Sequence, residues 1–181
     1  ARATSRKLTS LRRISWLLDS RGRETLYRAQ IRSTLEYSCL AWGGAVPTLL
    51  ALLDKVQERA WRIISDGQPE HPSSLHTLQH RRDVAGLTAL YKIQQERVEH
   101  LRTLRQPERS ASTNTRAAAA APTALAVQRC HTSHRQRQFI NTYVKLWNRL
   151  LGSGQWPQNN TQQQFKVFVN KWMISVNQVR L

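Results

Sequence analysis

The stretch TLLALLDKVQERAWRIISDG, residues 48–67, decides the fold class. Leu49, Leu52, Leu53, Val56, Ala60, Ile63 and Ile64 recur at three- and four-residue spacing and form a wide apolar face, the pattern of an amphipathic helix. Lys55, Arg59 and Arg62 run along the far side, and Gly67 stands where a C-cap belongs. Nothing in the chain alternates with period two, so strands are not expected.

The same spacing extends outward in both directions. In SRKLTSLRRISWLLDS, residues 5–20, Leu8, Leu11, Ile14 and Leu18 share one side, with Arg6, Lys7, Arg12 and Arg13 on the other. RETLYRAQIRSTLEYSCLAW, residues 23–42, turns Tyr27, Ile31, Leu35 and Trp42 inward and carries Arg28, Arg32 and Glu36 at i, i+4 on the opposite face. GGAVP then ends it. After a polar turn with Pro69 and Pro72, LQHRRDVAGLTALYKIQ begins a helix expected to continue to about Leu104, with Val84, Leu87, Tyr91, Val98 and Leu101 inward and Asp83 in its first turn.

Residues 105–136 lose the period. They are rich in Ala, Ser, Thr and Arg, and are read as a partly disordered basic linker. Helical spacing returns at Phe139, Tyr143, Trp147 and Leu150, and again at Phe165, Phe168, Val169 and Trp172, where Thr161 and Gln164 form a capping box. The expectation is an all-α chain of about six helices.

Charge bounds the function. The 181 residues hold 28 Lys and Arg against 11 Asp and Glu, a formal +17, which points to a polyanion: nucleic acid first, an acidic membrane surface second. Residues 1–32 carry nine cations and two acids, and no acid follows Glu108 while ten cations do. The apolar runs fall short of the ~20 residues that span a bilayer, and no secretory leader is visible. The NNT triplet at Asn159 is therefore discounted as a glycosylation site. Two distant cysteines, Cys39 and Cys130, suggest a reducing compartment rather than a disulfide framework.

Candidate chemistry is sparse. HRRD, residues 80–83, looks like a kinase catalytic loop, but an extra Arg intervenes and no Gly-rich loop exists. Asp19, Asp54, Asp66 and Asp83 are too scattered for a metal-dependent polymerase or nuclease centre. His71, His76 and His80, or Cys130, His131 and His134, lack the paired C-x2-C of a zinc site; they are read as solvated or backbone-bonded side chains, with zinc as the alternative. No cofactor, metal or catalytic residue is assigned. Trp16, Trp42, Trp61, Trp147 and Trp172 are read as core, with base stacking as the alternative, and Trp156 lies outside any helix.

Four separated segments share a further pattern. They are Tyr27, Ile31, Arg32, Leu35, Glu36, Tyr37 and Trp42; Leu53, Val56, Gln57, Arg59 and Ala60; the Leu78–Gln94 stretch; and Arg137, Phe139, Leu146, Trp147 and Asn148. In that order they resemble the region following the polymerase palm in reverse transcriptases of non-LTR (LINE-type, jockey-like) retrotransposons. Gln79 stands where that family usually has Glu, and Leu151 where it often has Pro.

The resemblance implies a thumb-like helical bundle over 1–104, the linker at 105–136, and a helical extension over 137–181 packing on the bundle. It implies an upstream fingers and palm domain carrying the metal-binding aspartates, so that this chain is itself no enzyme. The partner would be RNA–DNA hybrid or duplex DNA, gripped during target-primed reverse transcription, in the nucleus and, as a ribonucleoprotein, in the cytoplasm. Arg6, Lys7, Arg12, Arg13, Arg28 and Arg32 are the first candidates for backbone contacts, with Arg81, Arg82, Arg135 and Arg137 second. A helical scaffold docking an acidic protein is the alternative, and an amphipathic membrane-surface protein a third. At its own position in a helix start, Arg81–Arg82 calls for a compensating acid: Asp83, another helix's carboxylate, or a phosphate.

Overall fold

The computed structural model describes residues 2–66, 76–109, 123–154 and 161–178. Among these the fold is all-α, with nine α-helices: α1 (Arg2–Ile14), α2 (Ser20–Leu26), α3 (Ser33–Glu36), α4 (Cys39–Trp42), α5 (Pro47–Ile64), α6 (Leu78–Gln94), α7 (Ser133–Gln136), α8 (Phe139–Gly152) and α9 (Gln162–Gln178). A π-helical segment, Tyr27–Arg32, runs between α2 and α3, and 3-10 turns occupy Ser15–Leu17 and Glu99–Leu104. One isolated antiparallel bridge pairs Glu108 with Leu125.

Two compact units divide the chain, Ala1–Arg82 and Asp83–Leu181. The division falls inside the span 1–104 expected as one bundle, because α6 serves both cores. Leu78 belongs to the first core, whereas Gly86 and Tyr91 pack on Tyr143 and Phe165 in the second.

The first unit buries Leu8 and Leu11 of α1, Tyr27, Ile31 and Leu35, Val56, Ala60 and Ile64 of α5, and Leu78. Tyr27, Ile31 and Leu35 stand four apart, a spacing that drifts about 40° per step in an α-helix. The wider π turn takes that drift back and keeps the three on one line. Arg23 is buried and donates to two backbone carbonyls, Leu18 O (3.1 Å) and Ile63 O (2.8 Å), and to the carboxylate oxygen Asp66 Oδ2 (3.2 Å). It thereby satisfies a carbonyl at the C-terminal end of α5.

Several expectations for this unit are corrected. The first helix stops at Ile14, itself 40% exposed, and the tighter 3-10 turn that follows shifts the phase, so Trp16, expected in the core, is 80% exposed and Leu18 is only half-buried. The helix expected over 23–42 breaks at Ser38, which takes φ 51°; Trp42 then donates its indole N–H to Tyr37 O (2.8 Å) and is half-buried. On α5 the apolar face outruns the core: Leu49 and Leu52 remain 55% and 48% exposed. Gly67, His71 and Trp156 lie outside the described residues.

Within the second unit aromatic rings dominate. Tyr91 stacks on Phe165 with centroids 4.2 Å apart, and Trp147 tilts against Phe165 at 5.9 Å. Tyr143 lies flat against α6 at Gly86, where a Cβ would come within 2.1 Å of its ring. The capping box at Thr161 forms: Thr161 N–H donates to Gln164 Oε1 (2.9 Å) and Gln164 N–H to Thr161 Oγ1 (3.3 Å). Trp147 and Trp172 are buried as expected.

Helix α6 ends at Gln94, ten residues before the expected Leu104. Glu96 takes φ 53°, with its N–H bonded to Ile93 O and the Arg97 N–H to Lys92 O, a Schellman closure without glycine. Its carboxylate is held by Arg102 and Arg105, which stabilises that turn. In the span expected as a linker, residues 107–109 and 124–126 lie side by side, joined by Arg109 N–H to Ala124 O and Ala126 N–H to Pro107 O. Asn148 completes the arrangement by pairing with both the N–H and C=O of Leu125, each at 2.8 Å. The short helix α7 follows, capped by Thr132.

Candidate nucleic-acid interface

Helix α1 contains no acid. Thr4, Leu8 and Leu11 are buried, so at about 100° per residue Arg6 and Arg13 project from the opposite side and Lys7 and Arg12 flank them. Lys7 donates to Gln30 O (3.2 Å) and Thr34 Oγ1 (2.7 Å), which anchors α1 to the π segment and α3. Arg6, Arg12 and Arg13 are exposed and have no carboxylate partner among the described residues. Guanidinium groups in that state present planar donor forks to phosphate without first breaking an ion pair.

The other candidates divide. Arg28 pairs with Glu24, and Arg32 with Glu36 at 3.6 Å. Arg81 forks onto Glu36, its Nη2 at 2.8 Å from Oε2. Burial, then the like charge of Arg81, lowers the Arg32 pKa, while its hydrogen bond to Glu36 raises that of Arg81. The compensating acid for Arg81 is thus another helix's carboxylate. Thr77, whose Oγ1 accepts from His80 N–H, caps α6, and Asp83 falls beyond the first turn where it was expected.

Arg82 does not reach the surface. It is 3% exposed, hydrogen-bonds Gln79 Oε1 (2.9 Å), lies 3.9 Å from Asp54 and sits over the Trp42 ring at 5.8 Å. Burial raises the Asp54 carboxyl pKa, against the lowering by Arg82. A side chain so enclosed cannot contact a phosphate on the surface, so Arg82 leaves the candidate list. Arg135 is exposed on α7, and Arg137, just beyond it, is half-buried.

Tyr27 is the buried centre beneath these ion pairs. Burial first, and the charge of Glu36 second, push its pKa up to about 12, and its hydroxyl has no hydrogen-bond partner among the described residues. His76 stacks on His80 at 4.4 Å, and burial, then His80 and Arg81, lower its pKa. No group of three or more potential ligands gathers to hold a metal among the described residues. Both cysteines are free thiols, and no described helix is long and apolar enough to cross a membrane.

Further helix cations not among the expected site residues are exposed, among them Lys55, Arg59 and Arg62 on α5, Lys145 and Arg149 on α8, and Lys166 and Lys171 on α9. Their signal was the helical spacing itself, since 55, 59 and 62 share a face opposite Val56, Ala60 and Ile64. No protein-family model, curated protein or solved structure matches this chain.

Proposed function

We propose that this chain is a helical module that grips the backbone of RNA–DNA hybrid or duplex DNA. In the sense of the resemblance, it is the thumb and C-terminal extension of a non-LTR reverse transcriptase. The observation that carries this reading is α1: an acid-free helix whose outward cations Arg6, Arg12 and Arg13 lack carboxylate partners among the described residues. A row of free guanidiniums binds phosphates of any sequence, which suits a polymerase thumb that must slide along its product. Catalysis, in this reading, belongs to an upstream palm, and the module acts in the nucleus and travels as a ribonucleoprotein.

Filter binding of duplex across a salt series tests it. If about six phosphates are neutralised, affinity is expected to fall by about 10³ between about 50 and 200 mM salt. Undetectable or salt-insensitive binding contradicts it. The exposed Leu49 and Leu52 on α5 favour a second reading, a scaffold docking an acidic protein. Tighter binding to an acidic polypeptide than to duplex would select that one.

A further inference from the structure

The second unit contains a cleft of about 600 Å³, within the size range of ligand sites. Its apolar lining comes from Trp147 and Leu151, one helical turn apart on α8, and from Leu125. Leu125 is fixed there by its two hydrogen bonds with Asn148, one donated and one accepted, so this side of the cleft is preformed. Half of its polar lining is amide: Gln94 and Gln95 at the end of α6, and Gln106, beside Arg105, Glu108 and Thr123. The Gln106 Nε2 already donates to Leu104 O (2.9 Å), which leaves its carbonyl as an acceptor.

Neutral amides carry both donors and acceptors, and beside an indole and two leucines they suit a planar ligand with apolar faces and a mixed polar edge. A lipid chain would leave the amides unmatched, and a bare phosphate would find few cations. Arg105, half-exposed and shared with Glu96, supplies one cation at the lining, while Glu108 disfavours a second anion. We propose that this cleft receives one unpaired nucleobase of a bound strand, its edge read by the glutamines and its adjoining phosphate met by Arg105. This rests on the reading of the chain as a nucleic-acid-binding module.

The test uses the full chain and two probes, a blunt duplex and the same duplex with a short single-stranded overhang carrying 2-aminopurine. The overhang is expected to tighten binding about three- to tenfold and to change the 2-aminopurine emission. The Q94L/Q95L variant should lose both effects while binding blunt duplex as the parent does. It is expected to fold, since the Gln94 amide nitrogen is buried without a hydrogen-bond partner among the described residues and Gln95 is exposed. Should it not fold, Gln95→Glu, at an exposed position, is expected to lose the gain instead.

No tightening, no emission change, or a gain retained in the folded variant overturns the cleft assignment. Binding of the blunt duplex decides the module reading separately: an overhang bound and sensed without duplex affinity would support the cleft and sink the module.

Discussion

Residues 1–82 and 83–181 fill their interiors differently. The first unit packs aliphatic side chains and one tyrosine, and encloses Arg23 and Arg82 with acids or carbonyls beside them. In the second, Tyr91, Tyr143, Trp147, Phe165 and Trp172 are buried, Tyr91 and Trp147 both against Phe165, and the buried polar residues Thr88 and Asn141 are uncharged. Acids are unevenly supplied: residues 1–82 hold seven Asp and Glu against four in 83–181, and none occurs after Glu108. Where acids exist they are used between and within helices, as Glu36 is by Arg32 and Arg81. Beyond Glu108, where none occurs, ring shape specifies the packing, and the described cations are exposed or half-buried.

Four substitutions can break or sharpen that contrast. The largest effect is expected for Gly86→Ala, which drives a methyl into the Tyr143 ring. It should cost on the order of 3 kcal/mol in urea unfolding despite the better helix propensity of Ala, with partial recovery in G86A/Y143A. Parent-like stability of G86A would mean that shape does not specify the second unit. Next, Asn148→Ala strips both backbone partners from Leu125, for about 2 kcal/mol and faster amide exchange at residues 124–126.

Glu36→Gln removes the shared acid of the first unit. About 1–2 kcal/mol is expected, because Arg81 and Arg32 are left facing one another while only partly solvated. No loss in urea unfolding would show that this ion-pair network specifies nothing.

The smallest effect at neutral pH belongs to Tyr27→Phe. Its hydroxyl has no hydrogen-bond partner among the described residues, so stability should stay within ~0.5 kcal/mol. Above pH 10 the two proteins should part. The folded state keeps the Tyr27 proton up to about 12 whereas the unfolded chain releases it near 10.0. This contribution is therefore fully present below pH 10 and is lost as pH rises through 12, a fall of about 2–3 kcal/mol. Tyr27→Phe should lack that part of the alkaline slope; an identical slope in both proteins would refute the assignment.

Much of the framework is readable in the sequence because burial follows helical period. Leu8 and Leu11, Val56, Ala60 and Ile64, and Phe165, Val169 and Trp172 all lie where their spacing places them. What period cannot convey is a change of period. The π segment at Tyr27–Arg32, the 3-10 turn that exposes Trp16, and the reversal at Glu96 each depend on one backbone conformation, and none carries a Gly or Pro. Gly86 did carry a signal, a glycine inside a helix, which marks close approach.

For the candidate interface, positions of cations were legible and their partners were not. Arg13 and Arg82 both stand in basic pairs, yet one is exposed and the other enclosed by Trp42, Asp54 and Gln79. That difference is tertiary.

The most direct measurement of the central claim compares salt slopes of duplex binding for two variants of the full chain. Arg6→Ala/Arg12→Ala/Arg13→Ala removes three exposed cations, and the slope should become shallower by about 2–3. Arg28→Ala/Arg32→Ala removes cations already held by Glu24 and Glu36 and should change it by less than about 1. An unchanged slope in the α1 variant, or a larger change in the paired-cation variant, would contradict α1 as the surface that grips the backbone.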